Sequence, residues 1–422
     1  MDYDLRYVEE KYEEIKNSMK KRGIDYPVDE LLSLYKEIKQ KQRELDSKRH
    51  EKNLISEKVS KGEKDINLIN KAKSLNEEIK NLENEINEKK KRAYDLFLRM
   101  PNILDEDVPI GKDDSENVEI KRVGKIKSFD FTPLSHTEIG LKRDLIDLER
   151  AAKVAGSRFY YLKGKLVKLS LALENFAIDK LMSKGYIPII PPFMMNKEAY
   201  SGVTSLSDFE DALYKVTGKE DTGEIERYLI STAEHPIGAM YMHEAIPEES
   251  LPLKYVGLSP AFRREAGSHG KDTKGIFRVH QFDKVEQFIF CKPEDSKKLH
   301  EELLANAEEI YQDLEIPYRV VNICTGDIGI VASKKYDIEG FMPAQGKYRE
   351  LVSCSNCTDW QSRRLDIKYV DKHGNKYFVH TLNSTAIAIE RTIVAIIENY
   401  QRKDGTIEIP SKLVPYTGFK EI

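Results

Sequence analysis

Between residues 29 and 98 the chain has no proline, one glycine and one aromatic residue before Tyr94, set among dense Lys, Glu and Asn. So long a run without helix breakers predicts long α-helix. In its second half Leu68, Ala72, Leu75, Ile79, Leu82, Ile86, Ala93 and Leu96 recur at alternating spacings of four and three, interrupted at Lys89. That is the seam of a coiled coil, an apolar stripe that needs a second helix to cover it. The first half offers a patchier seam, Leu31, Leu34, Ile38, Leu45, Ile55 and Val59, with lysines at 41, 48 and 52. Between the halves Ser60-Lys61-Gly62-Glu63-Lys64-Asp65 is polar and contains the glycine, so the chain can reverse there. Two helices of about 32 residues each predict an antiparallel hairpin roughly 50 Å long.

Charge alone does not identify a partner for this arm. Lys+Arg number 68 against 72 Asp+Glu, but Lys36 to Lys64 holds ten basic residues against six acidic ones. A phosphate backbone suits that local excess, and so does an ordinary solvated coiled-coil face. At 422 residues the chain exceeds a usual single domain, which predicts a large catalytic domain beside the smaller module. The start MDYDLRYVEE lacks a basic-then-apolar leader, and no apolar run approaches the roughly 18 residues of a membrane span, so a cytoplasmic protein is expected. Four cysteines, Cys291, Cys324, Cys354 and Cys357, are too few for a disulfide scaffold and are read as reduced thiols.

Pro101 and the stretch MPNILDEDVPIGKDD end the arm. The expected division is an arm over 1–105, a linker over 106–125 and a catalytic domain over 126–422. The last mixes amphipathic helix, as over Lys165 to Lys184, with strand-like runs such as YIPII, FRVHQF, QFIF and RELVS. Neither GxGxxG nor GxxxxGK[ST] occurs, so an α+β domain around an antiparallel sheet is expected in place of the common nucleotide folds. From Phe262 to Phe288 two apolar-bounded strands flank a Gly- and charge-rich loop, a hairpin suited to an anion. Arg263 opens it with a planar donor fork that matches phosphate or carboxylate. Any single Arg or Glu on a strand is usually just a surface ion pair; the whole string carries more weight.

That string, FRREAGSHGKDTKGIFRVHQFDKVEQF, resembles motif 2 of the class II aminoacyl-tRNA synthetases, in the form found in seryl-tRNA synthetases of archaeal and eukaryotic type. Other blocks follow in the family's order. Gly185-Tyr186 with Pro191-Pro192 resembles motif 1, STAEHP contains Thr232-Ala233-Glu234 of the serine site, Thr325 to Leu365 resembles the most serine-specific block, and HTLNSTAIAIERTIVAIIENYQ resembles motif 3. The resemblance implies a homodimer that activates L-serine with ATP and transfers it to the terminal adenosine of tRNA(Ser), and of tRNA(Sec) where present. It also implies a helical arm that grips the tRNA, Mg²⁺ accompanying ATP, no zinc and no membrane partner.

It further implies roles for individual residues. Arg263 contacts the α-phosphate and the serine carboxylate, Arg391 holds the γ-phosphate end over one adenine face, and Phe282 takes the other face. Arg264, Glu265, Val279, His280 and Gln281 complete the ATP site with Glu350, Leu351, Val352 and Ser353, of which Glu350 and Ser353 receive Mg²⁺. Thr232 and Glu234 receive the α-ammonium group, Glu286 and Thr385 read the hydroxyl, and Asn383 is a further serine contact. Arg263, Arg391 and Glu350 do the catalytic work by charge neutralisation and positioning; the serine carboxylate is itself the nucleophile.

Two features depart from expectation. Thr385, Ala386 and Glu390 stand where bacterial members usually carry Ser, Gly and Gly, and Glu390, beside Arg391, is expected to turn into the helix-packing face. Cys354 and Cys357 form half of a tetrahedral zinc motif, but no second CxxC or HxxxH accompanies them, so packing is the reading. Two rivals remain, a ligase that charges a carrier protein and an inactive paralogue. The arm argues against the first. The presence of Arg263, Arg391, Glu234 and Glu286 argues against the second.

Overall fold

The computed structural model describes residues 3–61, 65–220, 223–265 and 274–422. Gly62 to Lys64 of the expected reversal and most of the loop in the motif 2-like segment lie outside these residues. The chain divides into two compact units, Met1–Ile103 and Leu104–Ile422.

The first unit is helical: α1 (Arg6–Glu10), α2 (Tyr12–Arg22), α3 (Val28–Ser60) and α4 (Ile66–Arg99). Asp65 caps α4 by accepting from the Asn67 N–H, which satisfies one of the orphan donors of the first turn. Leu31, Ile38, Leu45 and Ile55 of α3 are buried with Leu75, Ile79, Leu82, Ile86, Ala93 and Leu96 of α4. Three of the four polar interruptions of the seam are paired across the two helices. Lys89 reaches Glu37 at 2.6 Å, Lys48 reaches Glu78 at 2.6 Å, and Lys41 pairs with Glu85. Seven residues forward on α3 meet seven residues back on α4, so these pairs record the antiparallel register. Exposed pairs of this kind contribute little, about 0–1 kcal/mol each, so their role is to fix alignment, while the lysine stems cover apolar surface.

The second unit is built on an eight-stranded sheet: β1 (Val118–Val123), β2 (Ile187–Ile189), β3 (Leu253–Phe262), β4 (Gln281–Cys291), β5 (Tyr318–Asn322), β6 (Lys334–Met342), β7 (Lys347–Thr358) and β8 (His380–Ala388). Their order is β1-β5-β6-β7-β8-β4-β3-β2, antiparallel throughout except where β2 joins β3. Helices α5 (Lys165–Met182), α6 (Ser296–Asp313) and α7 (Ile389–Asn399) supply Leu169, Leu173, Leu303, Ile310, Ile393 and Ile397 to the main core. Among the described residues no helix is long and apolar enough to cross a membrane.

The expected linker over 106–125 is corrected in part, because Val118–Val123 is an edge strand paired with β5. In VEIKRV the apolar–charged alternation holds only from Val118 to Lys121, and the strand is exposed along its length up to a half-buried Val123, so the acidic, Pro-containing stretch before it masks a weak signal. FRVHQF is corrected too, since β4 begins only at Gln281. The backbone before it is bonded outside any ladder: Ile276 N–H to His136 at 3.2 Å and His280 N–H to the Arg158 carbonyl at 3.1 Å.

Two irregularities in register aim the sheet at one cavity. Leu351 is an extra residue in β7 against β6, and Ala386 an extra residue in β8 against β4. An extra residue reverses the alternation of side chains. Adjacent Glu350 and Leu351 therefore both line the cavity, and on β8 the lining passes from Asn383 and Thr385 to Ala388.

Candidate active site

On the sheet face away from α6 lies a cavity of about 360 Å³. β4 contributes Phe282, Lys284 and Glu286 at period two, while Gln287, next along the strand and on its opposite face, bonds to the Leu303 carbonyl of α6. Arg263 follows β3, Glu350 and Ser353 stand on β7, Asn383 and Thr385 on β8, and Arg391 in the first turn of α7. Thr232 and Glu234 come from the start of the short helix Glu234–Gly238.

One end of the cavity is acidic and polar. Glu286 is 1% exposed and Lys284 7%, with Lys284 Nζ 2.5 Å from Glu286 Oε2. The Thr385 hydroxyl donates to the same oxygen at 3.5 Å. Glu234 accepts from Gln361 Nε2 at 3.1 Å, and its N–H donates to Thr232 Oγ1 at 3.2 Å. Burial first, then the charge of Glu286, pushes Glu234 up to about 7 against the pull of Lys284, Gln361 and Arg263. Burial also raises Glu286, opposed by Lys284. Glu286 thus has a cation at hand, whereas Glu234 is held by a neutral amide. A ligand ammonium group completes the charge balance at Glu234.

The other end is cationic. Arg263 donates from Nε to the Ser231 carbonyl at 3.3 Å and its guanidinium lies 5.1 Å from the Phe282 ring centre. Burial and then Arg391 lower its pKa, the mark of two like charges facing one space, which an anion relieves. Arg391 donates from Nη1 to the Glu350 carbonyl at 3.0 Å and lies 3.4 Å from Glu350 Oε2. Its guanidinium stacks 4.9 Å from the Phe277 ring centre. Burial disfavours the ionised form of Glu350, yet Arg391, Lys335 and Arg263 outweigh that and hold its pKa below the usual value.

Of the residues expected from sequence, Thr232, Glu234, Arg263, Glu265, Val279, Phe282, Glu286, Glu350, Leu351, Ser353, Asn383, Thr385 and Arg391 line this cavity. Arg264, His280, Gln281 and Val352 do not. The His280 ring lies 5.3 Å from that of Phe159, Gln281 borders a second recess, and Val352 is fully buried in the helix-side core. Glu390, expected to turn into the helix-packing face, borders both the cavity and the recess. Cys354 and Cys357 also diverge, Cys354 toward the His300 carbonyl of α6 and Cys357 toward the cavity.

Lys284, Phe277, Lys335 and Gln361 belong to the site and were not anticipated. Lys284 carried a signal, since on a strand it shares the face of Glu286 two residues on. Gln361 carried none, because the helix Trp360–Leu365 reaches Glu234 from behind the cavity only through the fold.

For a metal, the donors available are hard oxygens. Glu350 and Ser353 lie on one strand, and opposite Ser353 is Asp337, whose Oδ1 is buried without a hydrogen-bond partner. Among the described residues no group of three or more His, Cys, Asp or Glu assembles, so an ion there would need most of its ligands from outside the protein. That is the habit of Mg²⁺.

Comparison with known proteins matches residues 3–104 to the seryl-tRNA synthetase N-terminal domain and 214–400 to the tRNA synthetase class II core domain (G, H, P, S and T). The serine-tRNA ligase of Methanocella arvoryzae is 50% identical over 98% of both chains, and that of Thermococcus sibiricus 49% over 99% of this chain and 97% of its own. The crystal structure of the Pyrococcus horikoshii seryl-tRNA synthetase complexed with ATP superposes with a TM-score of 0.92 at 48% identity, covering 99% of each chain. The cytoplasmic serine-tRNA ligase of Naegleria fowleri in complex with AMP gives 0.86 at 40%, covering 97% of this chain and 95% of its own. Similar along its whole length to members from archaea and from a eukaryote, the chain belongs to the seryl-tRNA synthetase family of class II.

Proposed function

We propose that this chain is a serine-tRNA ligase of the cytoplasm, with residues 1–103 as its tRNA-binding module and 104–422 as its catalytic domain. The carrying observation is a cavity with two carboxylates at one end, Glu286 buried and Glu234 half-buried, and two arginines with Glu350 at the other. A zwitterionic amino acid with a short hydroxyl side chain fits the first end, and a polyphosphate the second. The ATP in the Pyrococcus horikoshii relative and the AMP in the Naegleria fowleri relative support a nucleotide at the second.

Glu234 and Thr232 take the α-ammonium group, while Glu286, Thr385 and Asn383 take the hydroxyl. A buried polar site rejects analogues lacking the matched group by about 10⁴-fold or more, which disfavours alanine and glycine. Threonine's extra methyl is excluded by the walls. Arg263 bridges the serine carboxylate and the α-phosphate, so nucleophile and electrophile share one fork. Arg391 holds the γ-phosphate end, and adenine lies against Phe282. Glu350 and Ser353 are the residues that would hold Mg²⁺, which when bound would neutralise phosphate charge. A serine carboxylate oxygen then attacks the α-phosphorus and pyrophosphate leaves. A hydroxyl of the terminal adenosine next attacks the adenylate carbonyl and AMP leaves. Alignment and charge neutralisation carry both steps.

Incubation with serine, ATP and Mg²⁺ in the absence of tRNA, followed by acid quench and mass analysis, tests the activation step. Seryl-adenylate is the expected product; its absence from folded enzyme contradicts the assignment.

A further inference from the structure

Beyond Ala388 the ladder between β4 and β8 stops. The last pair is Lys284 with Ala388, while β4 continues back to Gln281 paired only with β3. Asp283 therefore has no strand partner on the β8 side, and a backbone N–H left unpaired there is costly. The Glu390 side chain fills the gap. Its Oε2 accepts the Asp283 N–H at 2.9 Å and its Oε1 accepts the Tyr160 hydroxyl. Glu390 is 2% exposed and precedes Arg391 in the first turn of α7. One carboxyl group thus ties three segments together: the chain at Tyr160, the β4 residue next to Phe282, and the helix start that carries Arg391.

We infer that Glu390 is a positioning residue for ATP, extending the β4–β8 ladder by a side chain so that Phe282 and Arg391 are held as the two walls of the adenine slot. This rests on the reading of Phe282 and Arg391 as adenine-facing groups. No bond from Glu390 to substrate is involved. Its effect falls on the nucleotide end and leaves Glu234, on another turn, and Glu286, further along β4 where the ladder to β8 is intact, where they are. Burial and then Asp283 push Glu390 up to about 8, so glutamine, isosteric with the protonated acid, is the conservative replacement.

Serine-dependent pyrophosphate exchange with the full-length enzyme separates the possibilities. E390A is expected to raise the KM for ATP about tenfold, the loss of roughly one buried hydrogen bond's worth of positioning, with the KM for serine within about twofold of wild type. E390Q restores most of that loss, and Y160F shows a smaller rise of the same selectivity. If folded E390A keeps its KM for ATP, or raises both KM values alike, the inference is overturned. Should E390A not fold, a Y160F enzyme with a changed melting temperature and unchanged KM for ATP overturns it equally. F282A is the control on the underlying reading. If F282A also leaves the KM for ATP unmoved, the adenine site itself is misplaced; if F282A raises it and E390A does not, only the positioning role fails.

Discussion

At the Lys284–Glu286 pair two charges lie under the cavity floor at 2.5 Å, and the arrangement makes sense only if the cavity is to hold a third. Without Lys284, the buried Glu286 and the half-buried Glu234 are two neighbouring acids with no cation between them, and protonation is the cheaper outcome. K284M is therefore expected to lower kcat/KM for serine about 30-fold, equivalent to roughly 2 kcal/mol, while the KM for ATP changes less than about twofold. Steady-state exchange kinetics measures both, and an unaffected serine term removes Lys284 from the site. Glu234 predicts a pH dependence. Its raised value of about 7 means the free enzyme loses the ionised acceptor for the ammonium group as pH falls, so log kcat/KM for serine should decline below about pH 7 with unit slope. E286Q removes the neighbouring negative charge and should move that limb to lower pH; a limb that stays in place or moves up contradicts the coupling. These roles were partly legible in sequence. Arg263, Glu234 and Arg391 sit in motif-like strings, but Gln361 and Phe277 enter through tertiary placement, and the extra residues Leu351 and Ala386 that swing Glu350 and Ala388 inward leave no local mark.

Among elements, the helical arm was the most legible, because a seam repeated over thirty residues has one geometric solution. What the charge count could not reveal is which lysines the fold spends on itself. Lys41, Lys48 and Lys89 pair with glutamates of the opposite helix, whereas Lys36, Arg43 and Lys58 have no ion pair among the described residues and are exposed. These three are the better candidates for tRNA phosphate. Their alanine variants should each weaken tRNA binding and reduce the slope of log K against log salt by about one, leaving tRNA-free exchange unchanged; a filter-binding salt titration checks this. Replacing residues 45–80 by a short Gly-Ser turn keeps the Lys41–Glu85 pair and removes the tip. Exchange should stay within about twofold while aminoacylation falls at least about 100-fold. Equal loss of both would mean that the arm serves the catalytic unit's folding.

On the scale of the whole molecule, apolar side chains remain uncovered on and after α5 and β2: Leu171, Ile187, Ile190, Phe193 and Met194 are all exposed. Exposed hydrophobics this close together in the chain fit an association surface and support the homodimer that the family resemblance implies. Light scattering should give twice the chain mass, and I190D should shift it toward monomer with loss of exchange; a wild-type monomer with full activity contradicts the dimer. The measurement that bears most directly on the account is pyrophosphate exchange with each of the twenty amino acids, followed by charging of purified tRNA with whichever supports it. Exchange is expected with serine alone, with alanine, glycine and threonine at least about 10²-fold poorer, and serine is expected to be transferred to tRNA(Ser). Exchange with another amino acid in preference, or none from folded enzyme, would contradict it.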